Sequence, residues 1–92
     1  MHLILYSKPG CHLCEGLQEK LKQIQGLRFD LEIRDITTRD DWFQAFQYEV
    51  PVLYALTSES GVPQSIPRPS PRVRVEQLEQ MLQKYFADDP TQ

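Results

Sequence analysis

An abrupt change of hydrophobic period near the N-terminus constrains the fold more than any other feature of this sequence. Residues 2–6 form an apolar run without strict alternation, which is typical of a strand covered on both faces in a parallel or mixed sheet. Pro9 and Gly10 end the run. From Cys11 the apolar side chains recur at the spacing of one helix face: Leu13, Leu17, Leu21 and Ile24. We therefore predict a strand, a turn and a helix, which Gly26 is expected to end.

A second strand and a second helix follow from the same kind of spacing. Residues 27–33 alternate between apolar and charged side chains, which predicts a half-exposed strand on the outside of the sheet. Thr38 and Asp41 have the spacing of a capping box, with Asp in place of Glu, so a short helix is predicted to begin near Thr38. It should end before Val50-Pro51, because a residue that precedes proline is disfavoured in the helical region.

The second half of the chain is predicted to add a hairpin at the sheet edge and a final helix. Residues 50–56 indicate a third strand, and 62–66 indicate a weaker strand after a turn at 57–61. The prolines within 63–71 keep that stretch extended and make it a loop or a protected edge. The final helix is predicted from one apolar stripe: Val75, Leu78, Met81, Leu82 and Tyr85.

The predicted elements have the order β-α-β-α-β-β-α within a single domain. We assign residues 1–87 to this domain and 88–92 to a flexible C-terminal tail. The two N-terminal strands are expected to be parallel and the two later ones antiparallel. The predicted fold class is therefore α/β, with a four-stranded mixed sheet flanked by three helices.

Composition argues against several classes of function. The chain of 92 residues has a formal net charge of −3, which offers no broad attraction to nucleic acid or to an anionic membrane. Its two cysteines cannot form the disulfide framework of a small secreted scaffold. No stretch approaches the roughly 20 apolar residues of a membrane helix. The chain starts with a strand-like run and has no signal-peptide pattern, so a reducing cytoplasmic setting is expected.

Both cysteines lie where the first predicted helix begins, which makes thiol chemistry the leading hypothesis. Backbone N–H groups at a helix N-terminus lack partners within the helix and stabilise an anion, so Cys11 is expected to gain thiolate character. Cys14 lies one turn deeper, where its sulfur can approach that of Cys11. Lys8 adds a positive charge, while His12 either favours the thiolate when protonated or only fills the gap. The predicted reaction is thiol–disulfide exchange, in which Cys11 attacks and Cys14 displaces the reduced product.

Other interpretations of the cysteine pair remain open from the residues alone. Structural zinc takes four ligands, and besides carboxylates only His2 and His12 are available, so no metal site is expected. The cysteines could also be buried and inert. The strand, the Pro-Gly turn and the helix start around them make this less favoured than a redox role.

At these positions the sequence resembles a known family. The active-site segment of glutaredoxins, in the thioredoxin superfamily, is similar to Tyr6-Ser7-Lys8-Pro9-Gly10-Cys11-His12-Leu13-Cys14. Within that family, the segment most resembles a bacterial glutaredoxin-like group that carries Cys-His-Leu-Cys. The similarity extends to Asp35-Ile36, to Val50-Pro51-Val52-Leu53 and to the final helix. It implies a thioredoxin fold over nearly the whole chain.

The resemblance implies roles for five positions. Cys11 matches the nucleophile and Cys14 the resolving thiol. Pro51 matches a proline that has a cis peptide bond and faces the sulfurs, so Val50-Pro51 is predicted to be cis. Val50 would pair its backbone with the cysteinyl part of glutathione, like an added strand. Lys8 would approach the glycine carboxylate of glutathione.

The sequence departs from glutaredoxins in two places. Between the cysteines it has His12-Leu13 instead of Pro-Tyr, and His12 joins Lys8, Val50 and Pro51 as a candidate substrate-binding residue. Residues 69–74 replace the Gly-Gly pair and the Asp that hold the γ-glutamyl end of glutathione. The arginines of this region are Arg68, Arg72 and Arg74. They offer carboxylate contacts of another geometry, mark a docking surface for an acidic partner, or simply keep the loop solvated.

We therefore expect a small cytoplasmic disulfide oxidoreductase that acts as a monomer, without a metal or an organic cofactor. Its substrate would be a protein disulfide or a glutathione mixed disulfide. Its electrons would come from glutathione or from a thioredoxin reductase. No nucleic-acid or membrane partner is expected. The alternative is a non-catalytic thioredoxin-fold module that binds a protein partner and uses Cys11 and Cys14 as a redox-dependent switch.

Overall fold

The computed structural model describes residues 2–56 and 61–86, and within them the elements follow the predicted order. The strands and helices are β1 (His2–Ser7), α1 (His12–Lys22), β2 (Asp30–Asp35), α2 (Asp40–Phe46), β3 (Val52–Leu56), β4 (Gln64–Ile66) and α3 (Val75–Phe86). A short 3₁₀ helix, Ile36–Thr38, lies between β2 and α2. The predicted tail at 88–92 and residues 57–60 of the predicted turn lie outside the described residues.

The sheet has the strand order β2-β1-β3-β4, so β1 is an inner strand. It pairs in parallel with β2 and antiparallel with β3, and β4 pairs antiparallel with β3. The predicted α/β class, the mixed sheet, the outer position of β2 and the edge hairpin are therefore confirmed. Leu3 and Leu5 have no exposed surface, while Ile4 and Tyr6 are 3% and 8% exposed. This burial is what a strand covered on both faces requires.

Alternate side chains of β1 enter two separate hydrophobic clusters. Leu3 and Leu5 join the larger one, whose other buried members come mostly from α1, α3 and β3: Leu17, Leu21, Ile24, Leu53, Ala55, Ile66, Leu78 and Leu82. The second cluster, on the side of α2, contains Ile4, Tyr6, Cys14, Ile36 and Val50. The first turn of α1 thus delivers Cys14 to one cluster, while the rest of that helix packs in the other.

The start of α2 differs from the prediction. The capping box predicted at Thr38 and Asp41 is wrong, because α2 begins only at Asp40 and the Thr38 hydroxyl donates to the backbone carbonyl of Asp35 at 2.7 Å. The Asp35 carboxylate is the group that caps this region. It accepts from the hydroxyl and the backbone N–H of Thr37, at 2.6 and 2.9 Å, and these bonds lower the pKa of Asp35.

Other element ends also shift from their predicted positions. Gly26 does not end α1, which stops at Lys22 with a C-cap in the right-handed helical region. The Gly26 N–H instead donates to the Glu79 carboxylate at 3.1 Å, which ties the loop after α1 to α3. β2 begins at Asp30 instead of residue 27, and β4 covers only 64–66. No described helix is both long and apolar enough to cross a membrane.

Candidate functional site

The two cysteines form a disulfide at the start of α1. Their Cα atoms are 5.3 Å apart. Cys11 is the N-cap of α1, with an extended backbone at φ −88° and ψ 101°, and its Sγ accepts the backbone N–H of Cys14 at 3.2 Å. Cys11 is half-buried, whereas Cys14 is 2% exposed. Cys11 is therefore the more accessible of the two cysteines and lies at the positive end of the helix dipole, whereas Cys14 is covered.

The Pro9-Gly10 turn sets this geometry. Gly10 has φ +80°, a left-handed conformation that side chains with a Cβ rarely adopt. The turn is closed by the Cys11 N–H, which donates to the Lys8 carbonyl at 3.3 Å. The Glu15 N–H then bonds the Cys11 carbonyl at 3.1 Å, which begins the helical hydrogen-bond ladder. Because of this sequence of bonds, Cys11 lies directly before the first turn.

The Val50-Pro51 bond is cis, as predicted from the resemblance. Val50 is 8% exposed and belongs to the same cluster as Cys14, so this segment packs against the cysteine pair. The backbone groups of Val50 already have partners within the protein. Its N–H donates to the Phe46 carbonyl at 3.1 Å, and its carbonyl accepts Nη2 of Arg68 at 3.1 Å. Val50 thus lies in the same buried cluster as Cys14, and the backbone groups that strand pairing would use are already hydrogen-bonded.

Two cations bond the backbone segment between α2 and Pro51. The exposed Lys8 side chain extends to this segment, where its Nζ donates to the Gln47 carbonyl at 3.3 Å. Nη2 of Arg68 donates to the Glu49 carbonyl as well as to that of Val50. All three of these carbonyls follow Phe46, the last residue of α2. Lys8 is thus brought to the site by its backbone turn, but its side chain bonds the segment before Pro51.

Among the candidate substrate-binding residues, His12 has the least defined role in the structure. Its side chain is 94% exposed, and its Nδ1 lies 3.5 Å from a carboxylate oxygen of Glu15, three residues along α1. Leu13, the other residue between the cysteines, is 49% exposed. Tyr48, which is not among the site residues predicted from the sequence, is 90% exposed two residues before Val50. An aromatic residue just before a predicted cis proline is the signal that could have identified it.

A chain of polar contacts lies on the same face of the sheet as the second cluster. Arg34 donates from Nη1 to the Tyr6 hydroxyl at 2.9 Å and from Nε to Glu32, whose other oxygen lies 2.8 Å from Nε2 of His2. The hydrogen bond from Arg34, and after it that from His2, lowers the pKa of Glu32. The bond to Glu32 also raises the pKa of Arg34. Arg34 is therefore held as a fixed cation beside the ring of Tyr6.

Aromatic rings form the rest of this face. The Tyr6 ring lies 4.5 Å from the ring of Phe46 and 5.7 Å from that of Trp42, measured between centroids. The guanidinium of Arg34 lies 5.3 Å from the Trp42 ring centroid and that of Arg39 lies 4.8 Å from it. These aromatic and cation–π contacts hold α2 against the sheet. They fix the helix whose C-terminal end leads to Val50-Pro51.

The residues described offer no metal site. Within 2–56 and 61–86, no group of three or more His, Cys, Asp or Glu side chains lies close enough to hold an ion. The reactive side chains that the structure brings together here are the two cysteines, Cys11 and Cys14. The cis Val50-Pro51 peptide bond belongs to the same region, together with Lys8 and Arg68, which hydrogen-bond the backbone segment before Pro51.

This sheet order, with a Cys-x-x-Cys disulfide at the first helix and a cis proline before the third strand, defines a thioredoxin-fold protein with a redox-capable cysteine pair. Thioredoxin 1 from the thermophilic eubacterium Thermosipho africanus TCF52B shares the fold. It is 18% identical, with a TM-score of 0.63, over 95% of this chain and 96% of its own. The structure of a malarial protein is 16% identical, with a TM-score of 0.62, over 90% of this chain and 93% of that one.

The family model of the Glutaredoxin-like domain (DUF836) matches residues 2–83. Because this match spans most of the chain, the protein belongs to that family, within the thioredoxin superfamily. No curated protein matches the chain.

Proposed function

We propose that this protein is a small dithiol disulfide oxidoreductase in which Cys11 is the nucleophile and Cys14 the resolving thiol. The observation that carries the proposal is the difference between the two sulfurs at the start of α1. Cys11 is accessible at the N-cap, whereas Cys14 is 2% exposed. Exchange needs one thiolate that can reach a substrate and a second thiol that meets only the first.

The reaction begins from the dithiol form. The Cys11 thiolate attacks one sulfur of a substrate disulfide, which forms a mixed disulfide and releases the other substrate sulfur as a thiolate that takes up a proton. Cys14 then loses its proton and attacks Sγ of Cys11. The second substrate thiol leaves, and the Cys11–Cys14 disulfide forms. Two electrons pass from the protein to the substrate, so a separate donor must reduce the disulfide again.

The local structure supports each step. The Cys14 N–H that donates to Sγ of Cys11 would stabilise a thiolate there, because that donor has no partner within the helix. The cysteine spacing lets the second attack occur without unwinding α1, since the sulfurs are already bonded across one turn. Lys8, His12, Val50 and Pro51 remain the proposed substrate-binding residues.

Partners and setting are proposed on the same basis. The substrate would be a disulfide-containing protein or a glutathione mixed disulfide, and glutathione or a thioredoxin reductase would supply electrons. The protein would act as a monomer in a reducing cytoplasm, where a disulfide of this kind is transient. We propose no metal or organic cofactor, because exchange between sulfurs requires neither.

A second candidate is a protein-binding module whose cysteine pair is only a switch. The backbone bonds of Val50 favour this alternative, because both groups expected to pair with a substrate are already used. Tyr48 would then form part of the binding surface, since its side chain is 90% exposed. The two candidates differ in one measurable property, which is turnover.

Single substitutions test the proposed reaction. Cys11→Ser should abolish reduction of a disulfide substrate, whereas Cys14→Ser should complete the first attack and accumulate a mixed disulfide that intact-mass spectrometry detects. Lys22→Ala, in the last turn of α1, is the control and should turn over like the unaltered protein. Wild-type turnover by both cysteine variants would rule out the mechanism.

The electron donor is tested by coupled assays. Turnover of the unaltered protein is measured once with glutathione plus glutathione reductase and once with thioredoxin reductase as the electron donor. The Cys11→Ser variant gives the blank rate for each donor. Activity with either system supports the oxidoreductase and identifies the donor. Exchange with neither system favours the binding module.

A further inference from the structure

Arg68 holds the backbone next to the cysteines in an unusual way. It lies between β4 and α3, and its side chain reaches back 18 residues along the chain to the carbonyl of Val50. The same nitrogen, Nη2, also donates to the carbonyl of Glu49. The guanidinium therefore covers the two carbonyls that lead directly into the cis peptide bond.

The position of these carbonyls matters because Val50 packs with the cysteines. Val50 and Cys14 are buried in one cluster, and Cys11 packs against it. The proposed function brings a substrate sulfur to Cys11, which packs against this same cluster. If the proposed function is right, Arg68 lies along the backbone that such a substrate passes.

Arg68 has no anionic partner in the part of the chain that the structure describes. Across residues 2–56 and 61–86, its hydrogen bonds run from Nη2 to neutral carbonyls, and Nε and Nη1 make none. A guanidinium carries five N–H donors and bonds a carboxylate more strongly than a neutral carbonyl. Within the described residues, the Nε and Nη1 donors of Arg68 are not used in these bonds.

We propose that Arg68 is a specificity-determining residue that selects disulfide substrates with a carboxylate close to the reacting sulfur. The carboxylate binds the guanidinium and draws it from the Val50 carbonyl, which then accepts a backbone N–H of the substrate. A neutral substrate can hydrogen-bond the Val50 carbonyl only by displacing Arg68. The displaced guanidinium then receives no new partner from that substrate. This inference rests on the proposed exchange reaction and names the substrate chemistry of the same site.

The second cation of the segment fits the same chemistry. Lys8 donates to the Gln47 carbonyl, so positive charges lie on both sides of Tyr48 in a protein whose formal net charge is −3. Even with the carboxylate of the exposed Glu49 in this segment, the two cations leave a local excess of positive charge, which attracts an anionic group that the whole molecule would repel. The carboxylate could be supplied by an acidic residue of a polypeptide or by glutathione, and the two sources are separable by experiment.

The test compares matched substrates in single turnover with the protein reduced beforehand. One pair consists of two peptide disulfides that differ only in Glu or Gln beside the cysteine. The other pair is oxidised glutathione and its ester, in which the carboxylates are blocked. The quantity measured is the ratio of second-order rate constants, acidic over neutral, for each pair.

The unaltered protein should prefer the acidic member of at least one pair by about tenfold, the order expected of one charge-assisted hydrogen bond at a partly exposed site. Arg68→Gln should bring that ratio close to one, and Arg68→Lys should keep part of it because the charge remains. Added salt should lower the ratio in the unaltered protein. A preference confined to the peptide pair assigns the subsite to polypeptides, and one confined to the glutathione pair assigns it to glutathione.

A matched control removes an arginine elsewhere. Arg28 is exposed just before β2, which runs parallel to β1, so it lies at the opposite end of the sheet from the cysteines that follow β1. Arg28→Gln changes the net charge equally and should leave the ratio unchanged. A purely structural role of Arg68 would slow both members of a pair alike.

The possible failures are distinguishable. If the unaltered protein reduces no substrate of either pair, the proposed function and this inference both fall. If it reduces them without preference, or if Arg68→Gln keeps the preference, only the role of Arg68 is overturned. Equal loss of preference in Arg28→Gln would overturn it as well, because the effect would then follow net charge.

Discussion

Replacing Cys11 with serine or alanine tests whether its side chain caps α1. The Cys11 sulfur accepts the Cys14 N–H at 3.2 Å, and a serine hydroxyl at this position can accept the same bond, whereas alanine cannot. Neither variant can form the disulfide. The backbone of Cys11 is extended, at φ −88°, so helix propensity does not distinguish the two substitutions. The difference in stability between them isolates the cap.

The magnitude follows from known N-cap substitutions. Loss of a side-chain cap to alanine lowers the free energy of unfolding by about 1 kcal/mol. In a domain of this size, about 1 kcal/mol corresponds to a shift of roughly 4–8 °C in the unfolding midpoint. We therefore expect Cys11→Ala to unfold about 4–8 °C below Cys11→Ser.

Thermal unfolding followed by circular dichroism measures this difference, with reductant present so that Cys14 remains a free thiol. Urea unfolding gives the free energies for comparison. His12→Ala is the control, because its exposed side chain makes no cap and should change stability by less than about 0.5 kcal/mol. Equal midpoints for the two Cys11 variants would show that the sulfur does not cap the helix. The Cys14 N–H would then not be placed to stabilise a thiolate at Cys11 either.

Two further predictions concern stability. The hydrogen bonds from Arg34 and His2 lower the pKa of Glu32 below its ordinary value of 4.5. This carboxylate therefore stabilises the fold at neutral pH, and that contribution is lost as pH falls from 4.5 through the lowered pKa of the folded protein. The free energy of unfolding in urea should therefore differ most between Glu32→Gln and wild type at pH 6, and the difference should vanish in acid. Because the Glu32 side chain is 38% exposed, the difference should be small. A difference that does not change with pH would contradict the assignment. Leu78→Ala should lower the free energy of unfolding by about 2–5 kcal/mol, because Leu78 has no exposed surface, whereas Leu13→Ala should cost far less; comparable losses in chemical denaturation would refute this description of the core.

The order of elements was predictable because it depends on local spacing. The apolar run before Pro9 and the helical stripe after Cys11 specify a strand and a helix without reference to the rest of the chain. Element ends were less predictable. Thr38 has the spacing of a cap, yet Asp35 accepts the N–H of Thr37 and starts a 3₁₀ turn there first. Which of these neighbouring polar side chains caps the turn depends on where β2 ends, and the spacing of apolar residues does not predict that position.

Of the candidate site, the sequence by itself determined the cysteine pair and its place at a helix start. Spacing and turn residues are local properties, and the resemblance added the cis bond at Val50-Pro51. Only the tertiary structure decided what surrounds the pair. It placed Cys14 in one cluster with Val50, and it brought Arg68 onto the carbonyl of Val50, 18 residues away. The physical reason is that contacts between distant segments depend on how the strands pair and the helices pack, and no single local sequence pattern determines that arrangement.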